Sequence, residues 1–173
     1  MTLISHLVMA RLYQLYARDF DRSVSEAEAA VEMAPNDAQL RSGVAGHLAH
    51  AGRFEEAIAW ATQALAQPHN SAFAKYYRAN LAWVLYLAGR NGEALENLKG
   101  SETVFSDVTA AIYVRAGRVE EARAAIADWL KTGSFSIATE SCLAIKEPMN
   151  SAYLDDLRKA GLPETALGGN GRR

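Results

Sequence analysis

His47 and His50 stand three residues apart, a spacing at which two imidazoles on one helical face could hold a metal ion together. No third ligand accompanies them in the sequence, so they read as two polar residues near the inner face of a helical hairpin. His6 and His69 have no evident partner. Asp155 and Asp156 are adjacent, and on a helix adjacent side chains diverge by about 100°. That divergence denies them paired acid–base work, and a solvated face is expected. Cys142 is the single cysteine, so no internal disulfide forms. It lies in an apolar stretch with no charged neighbour to favour its thiolate, and reads as buried and inert. No nucleophile elbow frames a serine, and no GxxxxGK[ST] loop is present to cradle a phosphate. The tail run Gly168-Gly169-Asn170-Gly171 precedes no helix. No enzyme, catalytic residue, cofactor or metal site is expected.

The elements around these residues follow a repeat. Gly52-Arg-Phe-Glu-Glu-Ala57 returns as GRNGEA from Gly89 and as GRVEEA from Gly117. An apolar helix-like segment precedes each glycine (VAGHLAHA, LAWVLYLA, AAIYVRA), and another follows it. Glycine suits the joint because it closes a helix in the left-handed conformation without steric penalty. The acidic residues Glu55, Glu56, Glu93, Glu120 and Glu121 then face the partial positive end of the next helix. Ala57, Ala94 and Ala122 fall five residues after each glycine, where a larger side chain would push two antiparallel helices apart. Pro35-Asn36-Asp37 closes an earlier unit, whose joint, YARDFDRS, holds no glycine. Four helical hairpins are expected, at about 2–34, 37–67, 71–99 and 102–131, with boundaries good to a residue or two. The fold class is all-α.

Composition sets the outer limits. The chain has 173 residues, 50% hydrophobic and 22% charged, with a net charge of −2. That is an ordinary globular balance with no concentrated basic face, so direct nucleic-acid binding is not expected. The N-terminus lacks a basic leader and an evident cleavage site, and the apolar run LAWVLYLAG is far shorter than the roughly 20 residues that span a bilayer. No membrane partner is expected, and a cytoplasmic location is.

These hairpins resemble the tetratricopeptide repeat family. The unit at 38–71 fits best, with Gly52, Ala57 and Ala64 at family positions and Pro68 one residue early. Arg41 and Arg78 stand where the family usually has tryptophan. The glycine spacings depart from a 34-residue unit, which calls for an insertion near Pro68 and a shortened helix ending at Lys99-Gly100-Ser101. The resemblance implies a right-handed α-solenoid of about four hairpins over residues 1–131.

Residues 132–165 then read as capping helices, one in SFSIATESCLAI and one in SAYLDDLRKAG, covering the apolar flank of the last hairpin. Residues 166–173 read as a flexible tail. The run from Leu157 to Glu164 is also similar to the close of tetratricopeptide regions that follow bacterial class III adenylate or guanylate cyclase domains. Related endings occur behind winged-helix regulators.

In the resembled family the first helix of each hairpin lines a concave groove. That implies a peptide or partner groove containing Gln39, His50, Tyr76, Asn80, Trp83, Tyr86, Asp107 and Arg115. Trp83 and Tyr86 can equally be core residues between hairpins, and Tyr77 points to packing. The family's carboxylate clamp finds Asn80 in place, but Gly43 and Val108 occupy the equivalent positions of adjacent units. The expected function is a non-catalytic interaction scaffold for a protein or peptide partner, or for a neighbouring domain of the same chain. Its expected setting is the C-terminal regulatory or assembly module of a larger bacterial signalling protein such as a cyclase. The alternatives are a self-associating dimerisation module, a module of a winged-helix regulator, and a free-standing adaptor.

Overall fold

The computed structural model of the chain describes residues 1–68, 70–131 and 144–163. These form nine α-helices and no strand: α1 (Leu3–Leu12), α2 (Phe20–Met33), α3 (Ala38–His50), α4 (Phe54–Ala66), α5 (Ser71–Leu87), α6 (Asn91–Leu98), α7 (Ser106–Arg115), α8 (Val119–Lys131) and α9 (Met149–Lys159). A π-helical turn, Tyr13–Ala17, extends α1. The first eight helices pair as α1/α2, α3/α4, α5/α6 and α7/α8, and successive pairs stack on one another. The chain is an all-helical solenoid.

The three glycine joints share one geometry. Gly52, Gly89 and Gly117 have φ of 85°, 74° and 72°. At each, the glycine N–H donates to the carbonyl three residues back and the next N–H to the carbonyl five back, as in Gly52 to Ala49 at 3.0 Å and Arg53 to Leu48 at 2.9 Å. Carbonyls left over at the helix end are thereby satisfied. The arginine that follows grips the glutamate three residues on with two nitrogens: Arg53 to Glu56, Arg90 to Glu93 and Arg118 to Glu121. These forks hold the glutamate carboxyls below their usual range. The motif therefore encodes an arginine–glutamate clasp as well as a turn. Ala57, Ala94 and Ala122 are fully buried.

The glycine-free joint is solved differently. Arg18 adopts the left-handed conformation, φ 54°, at a cost of about 1–2 kcal/mol relative to glycine. Asp19 caps α2 by accepting from the Arg22 N–H at 3.0 Å, and Asp37 caps α3 by accepting from Gln39 and Leu40. The irregular glycine spacing has a plain origin. α5 runs for 17 residues, whereas α6 runs for only 8 and ends before Gly100, itself at φ 78°.

The core passes from Ala10 and Val24 through Leu48, Val84 and Leu98 to Ile112 and Ile126. In the first hairpin, Ile4, Val8 and Leu12 of α1 and Tyr16 of the π-helical turn are exposed at four-residue intervals, as are Met1 and Leu7. The C-terminal segment meets the last hairpin through α7 and extends beyond it. α9 packs chiefly on α7 and reaches α5, so it lies across the inner faces of the hairpins. Cys142, the expected helix up to residue 143 and the tail from 166 fall outside the described residues, as does His69.

Candidate partner-binding groove

The inner face is built from the first helix of each hairpin, and residues 144–162 run along all four. Gln14 donates to the Ala144 carbonyl at 3.1 Å, and Arg18 donates to Ile145 at 3.4 Å. The Lys146 N–H donates to the His50 carbonyl at 3.0 Å. Further along, Tyr153 of α9 sits edge-on to Trp83 at 4.9 Å and to Tyr86 at 6.0 Å. Its hydroxyl donates to Asp107 at 2.8 Å. Asp156 accepts from the Tyr86 hydroxyl at 2.7 Å, from the Arg115 Nε, and from Lys159 one turn on at 3.4 Å. Gly161, φ 93°, ends α9 with the same hydrogen bonds as the repeat joints.

Asp156 is only 1% exposed, against the expectation of a solvated carboxylate pair. The divergence of adjacent helical residues holds: Asp155 is exposed and pairs with Arg158, whereas Asp156 turns inward. A buried carboxylate persists only when hydrogen-bonded and paired, and here a phenol and a guanidinium supply both conditions. Burial and the Asp156 carboxylate push the Tyr86 hydroxyl's pKa well up, so it stays a donor. Burial also raises the Asp107 carboxyl above its ordinary value, the Tyr153 hydrogen bond acting against that. Tyr153, Leu157, Ala160 and Leu162 bury the apolar side of the segment. A leucine so buried contributes about 1.5–3 kcal/mol, an upper estimate because an undocked segment already hides part of its surface.

The expected groove residues thus separate into groups. His50, Trp83, Tyr86, Asp107 and Arg115 all meet the chain's own C-terminal segment or one another beneath it. Asn80 is buried and donates to both the Ser42 carbonyl and its hydroxyl at 2.9 Å, binding the third hairpin to the second. Tyr76 is half-buried among Tyr77 and Phe105. Gln39 is exposed at the start of α3. Sequence reasoning missed Gln14, fully buried inside the first hairpin, and Asp156. A polar residue on an otherwise apolar helical face was the available signal for Gln14.

The two histidines are half-buried and join a polar cluster with buried Gln14 and Ser23. Trp83 Nε1 donates to His50 Nε2 at 3.0 Å, and the Gln14 amide lies against the other ring nitrogen. Ser23 donates to the Ala10 carbonyl at 2.9 Å, so His47 Nδ1 donates in turn to the Ser23 oxygen at 2.7 Å. Burial, with Arg11 nearby, lowers the pKa of His47 to about 4. Burial, His47 and Arg11 lower that of His50 to about 3. Both rings are neutral at pH 7. His6 pairs with Glu26 at 2.6 Å.

Among the described residues no group of three or more His, Cys, Asp and Glu is arranged to hold a metal ion, and no helix is long and apolar enough to cross a membrane. A cavity of about 130 Å³ lies between α9 and the α5–α6 turn, lined by Tyr86, Arg115, Met149 and Ala152 among others. Pockets for drug-sized ligands measure about 300–1,000 Å³, so this one suits water or a single small side chain.

The repeated joint, the paired helices and the lined inner face are the marks of one repeat architecture. Residues 10–72 match the tetratricopeptide repeat model. The match runs from the end of α1 through α4 to the start of α5 and contains the glycine joint at Gly52. The rest of the third hairpin and all of the fourth lie beyond it, although their joints at Gly89 and Gly117 have the same hydrogen bonds. Their long α5 and short α6 shift the glycines away from the regular tetratricopeptide spacing. No curated protein matches this chain.

Proposed function

We propose that the chain is a protein–protein interaction scaffold whose tetratricopeptide-like inner face receives a segment of a partner. The observation that supports this most directly is the segment 144–162, held along that face by polar contacts at Gln14, Arg18, His50, Tyr86, Asp107 and Arg115. A surface that orders one segment with this many directed contacts is suited to ordering another. A photo-crosslinking residue in place of exposed Gln39 or half-buried Tyr76, at the rim, should capture a second protein in the source cells. Cross-links confined to the chain itself would sink the reading.

The proposed setting is cytoplasmic, as the C-terminal regulatory or assembly module of a larger bacterial signalling protein such as an adenylate or guanylate cyclase. What supports it is the resemblance of Leu157–Glu164 to the ending of such regions. An antibody against the chain, used on source-cell extract, distinguishes a band far above 18.8 kDa from a free-standing adaptor at that mass.

A second reading, self-association, draws on the exposed row Ile4, Val8, Leu12 and Tyr16. Residues four apart on a helix form a ridge that packs against the same ridge of a second helix. Met1 and Leu7 are exposed in the same stretch and enlarge the apolar surface available to a second copy.

A further inference from the structure

We infer that residues 144–162 act as a strap that closes the inner face in the resting chain and lifts from it as one piece while the four hairpins stay folded. The inference rests on the scaffold reading for its purpose and adds how access to the face is controlled.

The strap spans the whole array. Its start is tied to the first two hairpins: Gln14 and Arg18 donate to the Ala144 and Ile145 carbonyls, and the Lys146 N–H donates to the His50 carbonyl. Farther along it meets the third hairpin at Trp83 and Tyr86, and the fourth at Asp107 and Arg115. It also closes its own helix. At the start of α9, Glu147 accepts from the Ser151 N–H at 3.2 Å and from its hydroxyl at 2.8 Å. At the end, the Gly161 and Leu162 N–H groups donate to the Arg158 and Leu157 carbonyls at 2.9 and 3.0 Å. The hairpins are likewise stacked without its help, α2 on α3, α4 on α5 and α6 on α7. Undocking therefore opens one seam and separates no helical hairpin.

That seam is held less firmly than the stack. The hairpins cohere through apolar residues such as Leu48, Val84, Leu98, Ile112 and Ile126. The seam buries Tyr153, Leu157 and Leu162, but much of it is ionic and hydrogen-bonded, and those groups regain water on leaving. Asn150 works against docking outright. It lies one turn before Tyr153 on the docked face of α9 and is only 5% exposed. Its Oδ1 meets no donor among the described residues, and its amide nitrogen reaches Glu147 at 3.4 Å. A buried amide oxygen without a partner has given up its water for nothing, and recovers it when the strap lifts. Lifting uncovers Trp83, Tyr86, Asp107 and Arg115 together, which opens the face.

Amide hydrogen exchange on the full chain, followed residue by residue by NMR, tests this. The Lys146 N–H is the deciding probe, because its bond to His50 lies outside α9 and reports docking rather than helix fraying. Lys146 and the α9 amides should share one opening free energy and exchange at least about ten-fold faster than those of α3 and α7, relative to intrinsic rates. Their exchange should rise only weakly with urea, since undocking exposes little surface. Asn150→Leu should slow Lys146 by about five-fold or more, and Asp156→Asn should speed it by about ten-fold. Exchange of Lys146 in step with α3 and α7, or at a free energy unlike that of α9, overturns the proposal. So does an Asn150→Leu chain, folded by circular dichroism, in which Lys146 exchanges no more slowly. If a variant fails to fold, the wild-type comparison decides alone. No partner enters this measurement, so its failure leaves the scaffold reading intact if Gln39 or Tyr76 cross-links still find a second protein.

Discussion

The Tyr86 hydroxyl donates to the Asp156 carboxylate at 2.7 Å across 70 residues of sequence, tying the third hairpin to the C-terminal helix. Arg115 reaches the same carboxylate from the fourth hairpin. One side chain thereby joins three separate parts of the solenoid.

Removing the carboxylate should loosen all three. Asp156→Ala leaves a buried phenol without its acceptor and a half-buried guanidinium without its partner. A loss of about 1–3 kcal/mol is expected by urea denaturation, below the figure for a fully buried pair because Arg115 retains water. Tyr86→Phe should cost about 1 kcal/mol. A double-mutant cycle between the two should return a coupling of about 0.5–3 kcal/mol, and simple additivity would mean that the contact contributes nothing.

Acid should unfold the array earlier than its composition suggests. An unfolded histidine titrates near 6.5, whereas His47 and His50 titrate at about 4 and about 3 in the fold. Between those values the unfolded chain holds more protons, so stability is full above about pH 6.5 and is lost as pH falls towards 4 and 3. Each ring contributes a slope of up to about 1.4 kcal/mol per pH unit. Protonated His50 would also turn an N–H toward the Trp83 N–H. His50→Gln should flatten the dependence of the urea midpoint between pH 7 and pH 5; an unchanged slope would show that the ring does not titrate with folding.

Glycines in two settings should respond oppositely to alanine. Gly117, at φ 72°, should lose about 1–2 kcal/mol, because the left-handed conformation crowds any Cβ. Gly43 lies inside α3 with nothing within 4 Å of an added Cβ, and its alanine should gain about 0.5–1 kcal/mol. Thermal melts of the two variants check both signs.

Asn80→Ala should act on stability rather than on partner binding. Its amide donates twice to Ser42 between α5 and α3, and its loss should cost about 1–2 kcal/mol. A variant that melts as wild type yet loses a partner would return Asn80 to the groove surface.

Self-association through α1 predicts that light scattering at high micromolar concentration finds a dimer, and that Val8→Asp converts it to a monomer. Val8 is 51% exposed, so the substitution should leave the melting curve of the monomer nearly unchanged. A wild-type chain already monomeric at that concentration removes this reading.

The repeat was legible because its causes are local. Gly52, Gly89 and Gly117 report a backbone conformation, and Ala57, Ala94 and Ala122 report a helix crossing five residues later. Both constraints act within a single hairpin, so they recur visibly along the chain. The first joint escaped the pattern because Arg18 adopts the same conformation without being glycine. The core placement of Trp83 and Tyr86 was open in the sequence, since an aromatic residue on an inner helix suits a ligand surface and a packed layer equally.

By itself, then, the sequence determined four hairpins, their joints and a C-terminal helix ended by Gly161, since each depends on residues a few positions apart. Only the tertiary structure decided that this helix lies in the groove and that Asp156 faces inward while Asp155 faces water. Helical periodicity separates the directions of two neighbours, but it does not say which direction meets protein. That depends on Tyr86 and Arg115, which lie 70 and 41 residues away and come within reach of Asp156 only once the four hairpins have stacked.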